Sequence, residues 1–330
     1  MKSPNISGLR FLQRDARHFQ ILFLGIFLVY GTWLLRWDLE WERCLLLLAT
    51  CLAAQAFFVK WKGLPWSALK SAMITGLGLC LLLHAGNWYT LVLGALVAIG
   101  SKFLIQIKGK HIFNPANIGI VVAVLLTGDA WVSPGQWGSG PALVFLVGAA
   151  GLMVLLKVGR VDTSAVFLIT FGMLDMLRTV GYLGWGMDVW AHRMMNGSLL
   201  LFTCFMITDP MTTPNAPKAR VAWSILLALL TFGIGTFAFV HTAPIWALFV
   251  LCLTTPLLDL LYKGERFSWL PGSSTGKAQI QIARATGEGK RQLQSHEEGS
   301  IHNSQVERSE IPHRGVTRVQ VRRTTKDILH

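Results

Sequence analysis

A nine-residue polar motif lies between two strongly apolar stretches of the chain. Residues 109–117 read Gly-Lys-His-Ile-Phe-Asn-Pro-Ala-Asn. Asn before Pro is disfavoured in the helical region, and Pro is favoured in the first turn of a helix, so Asn114 is predicted to cap a helix that begins at Pro115. The positive end of that helix, together with Lys110 and His111, would attract an anion or a phosphate. The alternative is a capped helix whose cations mark only the membrane surface.

A second polar motif, Thr208-Asp209-Pro210, lies about a hundred residues further along, at the predicted end of another apolar helix. A carboxylate at that depth is costly unless it is hydrated, paired or bound to a ligand. Asp209 could therefore pair with Lys110 across the two motifs, or it could hold a cation. The simpler alternative is an Asp that begins a Pro turn at the membrane surface.

A third group of polar residues is predicted inside a membrane helix. Asp175 and Arg178 are three residues apart and therefore share one helix face. Ionisable groups within a membrane are candidates for an ion path, although these two could also pair with one another, and Arg178 could extend to the interface. The sequence shows no zinc-site, catalytic-triad or phosphate-loop pattern, so we predict no metal site and assign no catalytic residue.

The composition excludes an ordinary soluble domain. Of the 330 residues, 52% are hydrophobic and 14% are charged, whereas soluble domains have about 25% charged residues. The net charge of +13 comes from short loops and the C-terminal tail rather than from one folded face, which argues against nucleic-acid binding.

The five cysteines lie in or beside apolar runs without a Cys-x-x-Cys pair, so we expect small buried side chains rather than a disulfide framework.

Ten apolar segments are long enough, or nearly long enough, to be membrane helices, which predicts an all-α polytopic membrane protein. They are Phe19–Leu35, Cys44–Val59, Ala68–Ala85, Tyr89–Ile107, Pro115–Thr127, Ala142–Leu156, Ser164–Val180, Ser198–Ile207, Val221–Val240 and Ala243–Leu261. The fifth and eighth are short for a crossing of about 20 residues. Both adjoin a polar motif, and short or broken helices are common at the binding sites of transporters.

The cations alternate between successive loops, which predicts the orientation. They cluster in the N-terminus and after the second, fourth, sixth, eighth and tenth helices: Lys2, Arg10, Arg14, Arg17, Lys60, Lys62, Lys102, Lys108, Lys110, Lys157, Arg160, Lys218, Arg220, Lys263 and Arg266. By the positive-inside rule, both termini are cytoplasmic in a bacterial inner membrane. Three parts are predicted: a basic N-terminus (1–18), a ten-helix domain (19–262) and a polar, mostly disordered tail (263–330).

The two motifs give the chain a family resemblance. With Gly197-Ser198 and ten predicted helices, they resemble the family that includes the D subunit of the Rnf complex and the B subunit of the sodium-translocating NADH:quinone oxidoreductase. The resemblance covers roughly residues 19–262 and implies two inverted five-helix repeats. It also implies a place beside other membrane subunits of an electron-transport complex, with Lys110, His111, Asn114, Thr208 and Asp209 lining a cofactor or substrate site.

One loop departs from the family pattern. Electron-transport members carry FMN on the Thr of a Ser-Gly-Ala-Thr stretch, whereas this chain has Pro141 and Ala142 where Ala and Thr are expected, after Ser139 and Gly140. Without that hydroxyl no phosphoester forms there, so covalent FMN is not expected. A non-covalent flavin, FMN or riboflavin, is compatible with the sequence. The loop also resembles that of membrane proteins of enediyne biosynthesis clusters, a divergent branch of the family.

The resemblance favours a membrane subunit of an Rnf- or Nqr-like electron-transport or ion-coupled assembly. If it is an enzyme at all, it is a non-catalytic or flavin-dependent subunit of a membrane oxidoreductase. Loss of the flavin Thr favours instead a transporter or channel for a small solute or secondary metabolite. A membrane scaffold that recruits partners through its tail is the third hypothesis.

Overall fold

The computed structural model describes residues 15–37, 40–132, 141–265 and 267. The predicted N-terminal segment is therefore described only from Asp15. Residues 133–140 of the loop that departs from the flavin-binding pattern lie outside the described residues. Almost all of the predicted tail does so too.

Helices make up most of the described chain, as the apolar segments predict. They are α1 (Ala16–Trp33), α2 (Trp41–Lys62), α3 (Leu69–Leu82), α4 (Trp88–Leu104), α5 (Pro115–Thr127), α6 (Pro141–Val158), α7 (Val161–Met176), α8 (Met187–Met194), α9 (Gly197–Leu201), α10 (Pro217–Phe237), α11 (Ala243–Cys252) and α12 (Thr255–Leu261). A 3₁₀ turn at Trp66–Ala68 precedes α3, and π-helical turns at Leu177–Tyr182 and Phe202–Met206 extend α7 and α9.

The predicted tenth helix is not straight. Instead, α11 and α12 meet at an angle of 46°. Pro256 lies in the first turn of α12, where a residue without an N–H group can begin a helix but cannot continue the preceding one. Helix α8, whose residues include the cation Arg193, was not predicted from the sequence.

Three helices of the described chain have both the length and the apolar composition to cross a bilayer: α2, α7 with its π-helical turn, and α10. The bent pair α11–α12 adds a fourth if it is one span, and five further apolar helices are shorter. The crossing by ten helices remains a prediction.

Two short antiparallel strand pairs were not predicted, so the all-α description was incomplete at these points. β1 (Leu83–Ala85) pairs with β4 (Ala130–Val132), and β2 (Gln106–Ile107) pairs with β3 (Lys110–His111). Lys108 and Gly109 join β2 to β3 with φ angles of 52° and 73°. Two successive positive φ angles are typical of the tight turn whose twist matches a hairpin. The hairpin thus carries Lys110 and His111 on one strand.

Helices α4 and α5 approach one another closely at two glycines. A Cβ atom on Gly119 would lie 2.5 Å from the carbonyl oxygen of Gly94 and 2.9 Å from the Cβ of Ala98. Side chains larger than hydrogen would therefore separate the two helices. This contact brings the C-terminal end of α4, with Lys102, beside the N-terminal end of α5, with Asn114.

Candidate functional site

Asn114 holds the start of α5 and ties it to the second motif. Its Oδ1 accepts a hydrogen bond from the Asn117 N–H at 3.1 Å, which confirms the predicted N-cap. Its Nδ2 donates to the Met206 carbonyl at 3.1 Å. The bond to Met206 joins the two motifs. Because Asn114 is also buried, its amide group binds mainly to protein partners.

Lys110 pairs with a carboxylate that was not selected from the sequence. Its Nζ lies 2.8 Å from Asp259 Oδ2, 2.6 Å from the Thr213 carbonyl oxygen and 3.3 Å from Asn215 Oδ1. The suggested pair with Asp209 is therefore wrong. Burial lowers the pKa of Lys110, and the neighbouring Asp259 opposes that shift. An ammonium group has three donors, and these three acceptors use all of them. Lys110 therefore stabilises the loop that follows the second motif.

His111 is the residue of the hairpin that contacts Asp209. Neighbouring residues of a strand point to opposite faces, which separates His111 from Lys110. The His111 Nε2 lies 3.3 Å from Asp209 Oδ2. The other carboxylate oxygen of Asp209 accepts the Met211 N–H at 3.0 Å. The two predicted motifs thus meet through this imidazole–carboxylate contact.

The pKa of Asp209 lies below its ordinary value. Burial acts to raise this pKa, but the hydrogen bond and charge of His111 and the Met211 N–H outweigh it. A carboxyl group whose folded-state pKa is depressed stabilises the fold above its unfolded-state pKa and loses that contribution as the pH falls through the folded-state value. Asp209 is therefore an anion at neutral pH.

Thr208 has a structural contact rather than one directed at a ligand. It is buried, and its hydroxyl donates to the Cys204 carbonyl oxygen at 2.8 Å. Of the five motif residues predicted to line a site, His111, Asn114 and Asp209 line the cavity beside the hairpin. Lys110 faces the α12 side of the hairpin, and Thr208 bonds to the last turn of the helix that precedes the second motif.

The motif cavity, defined as the cavity lined by His111, Asn114 and Asp209, has a volume of about 260 Å³. Lys102 and Gln55 also line it, and Phe103 and Phe205 contribute apolar walls. The cavity thus combines a cation, an anion and amide groups with aromatic surface, which suits a small polar ligand or an ion rather than a purely apolar one.

Lys102 is not the loop cation that the charge pattern suggested. It lies within α4, is 6% exposed, and donates to the backbone oxygen and hydroxyl of Ser71 at 3.2 and 3.1 Å. Gln55 is likewise buried: its Nε2 donates to the Ala68 carbonyl at 3.3 Å, while its Oε1 has no hydrogen-bond partner among the described residues. Both residues interrupt apolar runs, and this signal could have identified them.

A larger cavity of about 690 Å³, the far cavity, lies at the opposite end of α9 from the motif cavity. It is lined at the C-terminal ends of α7 and α10 and the N-terminal ends of α9 and α11, by Asp175, Arg178, Arg193, Asn196, Ser198, Thr231 and others. Asp175 is buried and forms a two-pronged ion pair with Arg193, at 2.7 and 3.1 Å. The suggested pair between Asp175 and Arg178 is therefore replaced by a pair with a residue of α8.

Arg193→Met should lower the stability of the purified protein by about 2 kcal/mol because it leaves the Asp175 carboxylate buried without its partner. Arg178→Met, which removes a cation from the same cavity, should cost less than half as much. Thermal unfolding in detergent measures both. The cost of Arg193→Met should largely vanish in an Asp175→Asn background; an unchanged cost there would contradict the pairing.

Among residues 15–37, 40–132, 141–265 and 267, no group of three or more His, Cys, Asp or Glu side chains is arranged to hold a metal ion.

Comparison with known proteins gives a consistent family. The family model described as NQR2, RnfD, RnfE matches residues 123–268, a segment that includes the second motif. The D subunit of the ion-translocating oxidoreductase complex of Aeromonas hydrophila is 24% identical over 307 residues, covering 68% of this chain and 87% of that protein. Its counterpart in Aeromonas salmonicida is 24% identical over 313 residues, covering 71% and 88%. That of Stutzerimonas stutzeri is 25% identical over 293 residues, covering 66% and 83%.

These matches, the two polar motifs and the apolar helices together indicate a membrane protein that is similar to the NQR2, RnfD, RnfE family.

Proposed function

We propose that the chain is an integral subunit of an Rnf-like ion-translocating oxidoreductase, embedded in the bacterial cytoplasmic membrane beside other membrane subunits. The observation that carries this proposal is the similarity to the D subunits of such complexes over more than four fifths of the length of each cited relative. The charged and amide groups of the motif cavity support it because a subunit that only anchored partners would have no need of them.

We further propose that ten helical segments cross the bilayer, as two inverted sets of five. The ten segments are counted as follows from the twelve helices. Helix α8, which has no buried residues, is left out, α11 and α12 are taken as one bent span, and α9 includes its π-helical turn. The alternation of cationic loops supports cytoplasmic N- and C-termini. In that orientation the motif cavity faces the cytoplasm and the far cavity faces outward.

In this arrangement the motif cavity presents charge to ions or protons arriving from the cytoplasm. Asp209 supplies a carboxylate beside an imidazole, and Lys102 supplies a buried cation in the same cavity. Charges in a membrane domain are costly to bury and are retained where they guide ions or protons. The subunit would supply position and electrostatics, and a cofactor would supply the redox chemistry.

A flavin fits the far cavity better than the motif cavity. Pockets for ligands of that size measure about 300–1,000 Å³, so the motif cavity, at about 260 Å³, is too small for a whole flavin nucleotide. The far cavity, at about 690 Å³, is large enough. It offers Arg178 for an anionic group and Thr231, a buried residue whose hydroxyl has no hydrogen-bond partner among the described residues. A flavin there would supply one- or two-electron transfer and would be held without a covalent bond.

The test is the flavin content of protein purified from membranes. We expect flavin in roughly stoichiometric amount, released into the supernatant by acid precipitation, with no flavin fluorescence on the protein band of a denaturing gel. Thr231→Val should lower the flavin content. Thr254→Val, whose hydroxyl already donates to the Leu251 carbonyl, is the matched control. Fluorescence on the denatured protein, or wild-type protein free of flavin, would contradict the proposal.

A transporter for a small solute or secondary metabolite is the second candidate, and two observations favour it. The chain lacks the Thr that would carry covalent FMN, and Leu82 lines both cavities, so they approach one another from opposite ends. Solute flux through flavin-free protein in liposomes, faster for Leu82→Ala, would support this function and displace the redox proposal.

A further inference from the structure

Two of the five cysteines meet at the end of the bundle that carries the far cavity. Cys44 lies in the first turn of α2 and Cys80 near the end of α3, and they are 4% and 2% exposed. The Cys80 sulfur lies 3.6 Å from the Cys44 carbonyl oxygen. The Cys80 side chain thus contacts the backbone of a residue 36 positions earlier in the chain.

Close packing of α2 against α3 explains this contact. A Cβ atom on Gly76 would lie 2.9 Å from the Leu48 side chain and 3.5 Å from its Cα atom. Residues four apart share a helix face, so Cys44 and Cys80 lie one turn beyond this approach, each on the face directed at the other helix. The glycine therefore brings the two cysteine backbones close together, as a short covalent bridge requires.

A cavity of about 280 Å³ leads to the pair. Cys44 and Cys80 line it together with Glu40, Arg43 and His84. The side chains of Arg43 and Glu40 are 36% and 60% exposed and form an ion pair, so the cavity opens towards the polar rim of the bundle.

We propose that Cys44 and Cys80 form a reversible dithiol–disulfide site that exchanges with a small-molecule disulfide. One thiolate attacks the partner disulfide, giving a mixed disulfide and releasing the first partner thiol. The second cysteine then displaces the remaining partner thiol and forms the Cys44–Cys80 bond. The chain loses two electrons and two hydrogens, and the partner disulfide gains both as it becomes two thiols.

The bond would fix the start of α2 to the end of α3. Arg43, which precedes Cys44, donates a hydrogen bond to the Ala85 carbonyl in β1. A disulfide at this position would therefore stiffen the contact of α2 with the β1–β4 pair. We expect the oxidised protein to unfold at a higher temperature than the reduced protein.

The experiment counts reactive thiols in the full-length wild-type protein. Membranes are treated with dithiothreitol or with hydroxyethyl disulfide, a small probe, then quenched in acid, denatured and labelled with a maleimide polymer that shifts the band once per thiol. Reduced protein should show five adducts, for its five free cysteines, and treated protein should lose two of them. Peptide mass spectrometry should show a Cys44–Cys80 link.

Single variants identify the pair. After the same treatment, Cys44→Ala and Cys80→Ala should not lose two adducts together, because each variant lacks one of the two cysteines that form the bond. Cys51→Ala and the core variant Cys204→Ala should still lose two. Wild-type protein that keeps all five adducts, that stops at a mixed disulfide, or that links Cys51 instead would overturn the proposal. The wild-type result does not depend on the folding of any variant.

Discussion

Asp209→Asn should lower the ion-coupled activity of the proposed complex by at least about tenfold, while the subunit still inserts into the membrane at normal levels. Asn preserves the shape of the side chain and an acceptor for the Met211 N–H. It removes the charge that faces His111 at 3.3 Å. A hydrogen bond to a charged group contributes about 1.5–3 kcal/mol, and about 1.4 kcal/mol corresponds to a factor of ten in rate.

The measurement compares complex activity in membrane vesicles with the amount of inserted subunit. Asp162→Asn is the matched control, because it also removes a carboxylate from an ion pair, here with Arg220 at 2.6 Å, but Asp162 does not line the motif cavity. We expect that control to retain most of its activity. Full activity of Asp209→Asn at normal subunit levels would show that Asp209 serves only to shape the Pro turn.

Lys110→Met should cause the largest loss of stability, about 3 kcal/mol. The substitution removes a donor shared by three acceptors, the Thr213 carbonyl, Asn215 and Asp259. The Asp259 side chain is only 17% exposed, so its charge would stay mostly buried without a compensating cation. Breaking one side of a buried ion pair is costly for this reason.

Unfolding of the purified protein in detergent, followed against temperature and denaturant, measures this loss. Lys218→Met removes an exposed cation from the start of α10 and should change stability by less than about 0.5 kcal/mol. Lys110→Met combined with Asp259→Asn should recover part of the loss, since the buried charge is then absent while the introduced amide oxygen can still accept the Asn215 N–H. Equal losses in the single and double variants would mean that Lys110 acts through packing alone.

Local features of the motifs could be read from the sequence. The cap at Asn114 depends on residues within one helical turn, and the restriction that Pro115 imposes is independent of the rest of the chain. The positions of the two motifs at helix ends were likewise predictable, because a polar run cannot continue an apolar segment without cost.

The choice of ionic partners was not predictable. Lys110 meets Asp259, 149 residues away, rather than Asp209, because alternation along β3 turns Lys110 and His111 to opposite faces. Asp175 meets Arg193 of the unpredicted α8 rather than Arg178 of its own helix. In both cases the tertiary packing of the helices, rather than the sequence pattern, determined which charged residues form the ion pair.

The apolar segments and the two polar interruptions were determined by the sequence, because hydrophobicity and proline stereochemistry act over a few neighbouring residues. The tertiary structure alone decided which charges face which cavity, that Lys102 is buried, and that Cys44 touches Cys80. These outcomes depend on how closely helices approach at Gly76, Gly94 and Gly119, and an interhelical distance is a property of the packed bundle rather than of any one segment.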